Sequence, residues 1–245
     1  MNLSAKNQKK HIDIYEHLYK SPLFINVSPE VIKNFADAAR LKMEPKGRVL
    51  FINGDKSEWF YLIINGWVKL FHETVDGTEV IVNIISDGSI FGENSVLNKD
   101  SFDYSAQTVE QTNLIMLPSI LLKNVLANDR QISLNMLSQM AEYNRKQNRH
   151  IEHLNAQNAS QRIGCFLLHL HKKHRPPLLT FNLPYDKSLI ASNLGMKPET
   201  FSRAIVKLEN KTGTSINGTI VNIENLQKLI DYTCNQCSGK FSYND

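Results

Sequence analysis

The pattern of apolar and polar positions changes its period along this 245-residue chain. From Met43 to about Leu117, short β-type runs (Val49 to Ile52, Phe60 to Ile64, Val68 to His72, Val80 to Ile85) alternate with turn residues: Asn53-Gly54-Asp55, Asn65-Gly66, Asp76-Gly77 and Asp87-Gly88. Strands at such regular spacing predict an all-β barrel or roll, not strands alternating with helices. The stretch from Ser89 to Ala106 interrupts them. Its Phe91-Gly92-Glu93 predicts the opening of a small helix, with backbone amides and charged groups turned toward a pocket.

Helical periods flank the roll. Ser28-Pro29-Glu30 has the form of a helix start, followed by apolar Val31, Ile32 and Phe35. A second helical stretch runs from Pro118 through Ala127, and a long one follows. In the long one Ile132, Met136, Met140, Tyr143, Gln147, Ile151 and Leu154 recur at separations of 4, 4, 3, 4, 4 and 3, a coiled-coil seam with one polar position. At 1.5 Å per residue, roughly 25 residues span about 38 Å. The stripe could pack on the chain's own β-roll. Its place between the roll and the C-terminal helices described next favours self-association. Another helix is expected over 158–173, ended by His174-Arg175-Pro176-Pro177.

The segment Asn182 to Leu208 predicts two short helices around a glycine turn. The first begins near Asp186 and carries Leu189, Ile190 and Leu194, with Ala191 small enough for a helix to cross close by. Gly195 breaks it, Met196 seals the corner and Pro198 opens the second helix. There Phe201, Ile205 and Leu208 mark a buried face, while Glu199, Ser202 and Arg203 share the other. Arginine can grip guanine O6 and N7, glutamate can accept from cytosine N4, and serine serves either role, so this triplet suits base reading in a major groove. The same Glu199 and Arg203, four residues apart, also fit an ordinary ion pair on a solvated helix. Context favours base reading, because the alternating segment Ile216 to Ile223, about an Asn217-Gly218 turn, predicts a hairpin that completes a winged helix-turn-helix.

Composition sharpens this picture modestly. The net charge is +4, but between Arg145 and Lys211 twelve lysines and arginines face only Glu152, Asp186, Glu199 and Glu209. Such a basic third suits a phosphate backbone. Hydrophobic content is 42%, with no apolar run near the roughly 20 residues of a membrane span. The polar N-terminus lacks the apolar core of a secretory signal, so the cytoplasm is the expected location. Cys165, Cys234 and Cys237 imply no disulfide framework, and the Cys234/Cys237 pair lacks the second pair a zinc site wants; no metal site is expected. No catalytic constellation is present, and an enzyme is not expected.

Taken together, the glycine-punctuated roll, Phe91-Gly92-Glu93 and Glu199-Thr200-Phe201-Ser202-Arg203 resemble the Crp/Fnr family of bacterial transcription regulators. The resemblance implies an α+β chain. It would have a cyclic-nucleotide-binding-type β-roll over 20–128, a dimerisation helix over 129–157, and a winged helix-turn-helix over 158–232. It implies a homodimer on double-stranded DNA, with RNA polymerase as a further partner. The DNA-binding residues would be Lys197, Glu199, Thr200, Ser202, Arg203 and Lys207, with an Fnr-like TTGAT half-site, because Pro198 stands where catabolite-activator-type members carry an arginine. The dimer interface would use Ile132, Met136, Met140, Tyr143, Gln147, Ile151 and Leu154. The effector pocket would use Gly92, Glu93, Tyr104, Ser105, Gln147 and Asn148.

The effector stays open. An iron–sulfur cluster is excluded because no cysteine precedes Cys165. Haem, the cofactor of gas-sensing members, remains an alternative through His11, His17 or His72, as does a cyclic-nucleotide-binding-like module acting through a protein partner. The remaining histidines, His150, His153, His169, His171 and His174, are expected on solvated helix faces. Cyclic AMP is not expected. In the family's cassette an arginine precedes a Ser-Ala pair and holds the cyclic phosphate, whereas here Tyr104 and Asp103 precede Ser105-Ala106.

Overall fold

The computed structural model describes residues 14–97, 100–173 and 178–234. His11, Lys99, the His174-Arg175-Pro176-Pro177 connection and Cys237 lie outside them. The chain divides into two compact units, Met1–Tyr143 and Asn144–Asp245, and the division falls inside the long helix.

The first unit begins with a helix over 14–20 (α1) and continues with α2, Pro29–Ala38. Ser28 caps α2 by accepting from the Val31 amide, and Pro29 takes its first position, as the sequence predicts. Eight strands follow: β1 (Arg40–Glu44), β2 (Val49–Phe51), β3 (Trp59–Asn65), β4 (Trp67–Glu73), β5 (Glu79–Ser86), β6 (Ile90–Phe91), β7 (Ser105–Thr108) and β8 (Thr112–Pro118). They form two four-stranded antiparallel sheets, ordered β1-β8-β3-β6 and β2-β7-β4-β5. Then come α3 (Ser119–Asn128) and α4 (Arg130–Ala156).

The inner strands of the first sheet, β3 and β8, are buried on both faces, which is why they are nearly continuous apolar runs, while β1 at its edge is exposed. Successive side chains point to opposite faces. Phe60, Leu62, Ile115 and Leu117 therefore join a core with α1, α2, α3 and the start of α4. Their neighbours Tyr61, Ile63, Leu114 and Met116 join a second core against the other sheet. Asn135 of α4 ties the long helix to this unit by donating to the backbone carbonyls of Leu23 and Ile25 at 2.9 and 2.7 Å.

The second unit contains the end of α4, then α5 (Ala159–Lys173), β9 (Thr180–Asn182), α6 (Lys187–Asn193), α7 (Pro198–Thr212), β10 (Thr214–Asn217), β11 (Ile220–Ile223) and α8 (Leu226–Cys234). A three-stranded sheet, β10-β11-β9, forms the wing. The expected hairpin is present, but its turn lies one residue later than expected. Asn217 pairs with Ile220, so Gly218 and Thr219 make the turn, with the positive φ falling on Gly218. One histidine also differs from expectation: His171 is buried, and its Nδ1 lies 2.8 Å from the carbonyl oxygen of Leu178.

Candidate functional site

The helix pair of the second unit is fixed by local chemistry. Asp186 caps α6, its carboxylate accepting from the Leu189 amide at 2.8 Å. Ile190 and Ala191 are buried beneath the crossing helix. Gly195 then turns the chain at φ +64, a conformation that side chains with a Cβ rarely adopt. A Cβ there would also meet Leu154 Cδ2 at 3.2 Å and Arg162 Nη1 at 3.8 Å, so the turn is roofed by the end of α4 and the first turn of α5. Pro198 starts α7, and Gly213 ends it in the left-handed conformation.

Along α7 the inward face is Phe201, Ala204, Leu208 and Thr212, all buried. Ile205, expected inside, is only half-buried, because the helix turns Ala204 more squarely to the core. Glu199, Ser202 and Arg203 are exposed together on the opposite face, with Lys197, Lys207 and Lys211 around them, and Thr200 is half-buried. Arg203 Nε donates to the Glu199 backbone carbonyl at 3.4 Å, and the Ser202 hydroxyl donates to the Pro198 carbonyl at 3.0 Å. The Ser202 and Arg203 side chains are thus held along the helix on its exposed face. The sequence reading missed Val206, an exposed apolar residue on this same face.

The seam on α4 requires a correction. Ile132 and Met136 are 0% and 2% exposed, packed in the first unit's own core, so neither is available to a second chain. The seam is one stripe whose environment changes along the helix: beyond Met136 its Met140, Tyr143 and Ile151 are exposed, as are Leu134 and Leu137 beside it. Leu154 lies against the Gly195 turn, and Gln147 is half-buried.

In the first unit, Gly92, Glu93 and Tyr104 come together, whereas the Ser105 hydroxyl accepts from the Asn53 amide at 3.0 Å. Gly92 adopts φ +83, and a Cβ there would stand 3.0 Å from the Phe102 ring. Its amide donates to the Tyr104 hydroxyl at 2.9 Å. Glu93 follows in a short 3-10 turn over Glu93–Val96; the residue is partly exposed while its Oε2 is enclosed. Among the described residues, neither Glu93 Oε2 nor Asn94 Oδ1 has a hydrogen-bond partner. Burial, with the Asp103 charge adding to it, pushes the Glu93 carboxyl up to about 7. Burial first and the Glu93 charge second push the Tyr104 phenol up as well.

Beside this cradle the interior of the roll is filled by aromatic rings. Phe51 stacks on Phe102 at 3.6 Å between centroids, and Tyr61, Phe91 and Tyr104 surround Phe51 within 6.1 Å. No arginine occurs from Val49 to Asp129. The described lysines of that stretch each face a carboxylate: Lys56 with Glu58, Lys69 with Glu79, and Lys123 with Asp100. The other two pocket residues expected from the sequence, Gln147 and Asn148, belong to the second unit.

Residues 43–129 match the cyclic nucleotide-binding domain family, and residues 161–232 match the Crp-like helix-turn-helix domain. Among curated proteins, the chain is similar to the cyclic AMP receptor protein of Thermus thermophilus, 29% identical over 76% of this chain and 84% of that one. It is also similar to the anaerobic regulatory protein of Aggregatibacter actinomycetemcomitans, 24% identical over 78% of this chain and 76% of that one. Its fold is that of FixK2 from Bradyrhizobium japonicum, with a TM-score of 0.69 at 22% identity over 79% of this chain and 96% of that structure. The relatives are transcription regulators, not enzymes. Among the described residues no helix is long and apolar enough to cross a membrane. With a cyclic-nucleotide-binding-type roll before a DNA-binding winged helix-turn-helix, the chain belongs to the Crp/Fnr family of transcription regulators.

Proposed function

We propose that this regulator acts in the cytoplasm as a homodimer that reads a palindrome of TTGAT-like half-sites through Glu199, Ser202 and Arg203, with RNA polymerase as its partner at the promoter. The observation that carries the DNA reading is the polar exposed face of α7, set opposite the buried Phe201, Ala204 and Leu208. Lys197, Thr200 and Lys207 supply phosphate contacts at its margins. The working parts are an effector roll over 20–128, a pairing helix over 129–157 and a reading domain over 158–232. Pairing uses the exposed apolar residues of α4, with Leu134 and Leu137 joining Met140, Tyr143 and Ile151.

The effector is a small molecule other than cyclic AMP. A cyclic phosphate wants a guanidinium or a free ammonium, and the cradle presents Glu93, Asp103 and a phenol already engaged by Gly92. Haem does not fit either. Described histidines of the first unit, His17 and His72, are exposed, while the interior is packed with phenyl and phenol rings.

A gel shift with a duplex carrying the TTGAT palindrome, against the same duplex scrambled, tests the reading. The palindrome should be retained at much lower protein concentration; equal retention of both overturns it.

A further inference from the structure

The exposed face of α7 holds one residue that its polar neighbours do not explain. Val206 is 57% exposed, and valine is among the poorer helix formers, with no packing here to offset that preference. At 3.6 residues per turn it lies within about 20° of Glu199 and between Ser202 and Arg203 around the helix. It stands about 4.5 Å further along the axis than Arg203. Val206 is therefore in the middle of the reading face, one turn beyond the arginine.

Resting on the assignment of α7 as the recognition helix, we infer that Val206 is a specificity-determining residue that reads the C5-methyl group of a thymine. The chemistry is apolar contact. Among the groups that base edges present in the major groove, the thymine methyl is the one an aliphatic side chain recognises. A branched side chain with a single χ angle offers two methyl groups at little entropic cost. With base pairs about 3.4 Å apart, the thymine lies within about two base pairs of the guanine that Arg203 reads. Val206 thereby extends the half-site beyond the positions that Glu199, Ser202 and Arg203 can specify by hydrogen bonds alone.

Deoxyuridine differs from thymidine only by that methyl group, which makes the test direct. The tightest duplex selected from a random pool is resynthesised with its thymines replaced one pair of symmetry mates at a time. Dissociation constants are measured for the wild type, Val206→Ala and Arg203→Ala, with thermal unfolding to show that each variant is folded. For one thymine, removing the methyl should weaken the wild type about fourfold per half-site, the worth of one buried methyl group. Val206→Ala should bind the thymine duplex more weakly by a similar factor and be indifferent to uridine at that position.

If no thymine shows a methyl effect in the wild type, or if the effect persists in Val206→Ala, the assignment of Val206 is overturned even though Arg203→Ala has lost specificity. A wild type that binds no selected duplex above random sequence overturns the recognition helix itself, and Val206 with it.

Discussion

The amide of Gly92 donates a hydrogen bond to the hydroxyl of Tyr104 at 2.9 Å, at the position where the resemblance implies a phosphate-binding arginine. A neutral phenol, its oxygen already accepting from Gly92, thus stands where the cradle would need a cation. Calorimetric titration with cyclic AMP should accordingly show no binding in the micromolar range. Micromolar binding that disappears in Glu93→Ala would mean that the cradle rearranges around the nucleotide.

Glu93 makes the first unit sensitive to pH. Its carboxyl is raised in the folded chain to about 7, from 4.5, so the folded state holds the proton more tightly than the unfolded one. The stabilisation is complete below about pH 4.5 and is lost as pH rises through about 7. Glu93→Gln removes this dependence. Compared with the variant, the wild type should lose at most roughly 3 kcal/mol between acidic and mildly alkaline pH, read by denaturant unfolding at each pH. Parallel stability profiles would show that the carboxyl is already solvated in the folded state.

Along α4, buried and exposed apolar residues separate folding from pairing. Met136→Ala opens a cavity in the first unit's core and should destabilise it by about 2–5 kcal/mol without changing the oligomeric state. Leu137 is 61% exposed and outside the buried core, so Leu137→Asp should leave the fold standing yet convert a dimer to a monomer in light scattering. A dimer that survives Leu137→Asp would place the interface elsewhere.

Arg203→Ala should lower affinity for the palindrome by roughly tenfold per half-site, since a bidentate guanine contact is worth about 1–3 kcal/mol. Lys197→Ala and Lys211→Ala should instead weaken every sequence alike and reduce the salt dependence of binding. Fluorescence anisotropy at several salt concentrations distinguishes the two behaviours. Arg203→Ala binding as tightly as the wild type would show that the helix is in the wrong register.

Much of this protein is legible in local sequence. Glycine spacing marked the turns of the roll, Ser28 and Asp186 marked helix starts, and the alternation of Phe201 and Leu208 with Glu199, Ser202 and Arg203 defined the two sides of α7. These features depend on backbone preference and on the period of a helix or strand, which a residue carries wherever it sits. Strands β1, β6, β7, β8 and β9 were not legible by such signals, because they are defined by the partners they pair with.

The partner of an apolar stripe is a different kind of fact. Ile132 and Met136 recur at the same spacing as Met140 and Tyr143, and periodicity shows which side of a helix is apolar without showing what covers it. Only the packed chain assigns the first pair to the roll's own core and leaves Leu134 and Leu137 outside. The same holds for Glu93, whose carboxyl is perturbed by enclosure within the tertiary fold. Spacing along the chain determined the elements and their faces; burial, which depends on residues far apart in sequence, decided what each face meets.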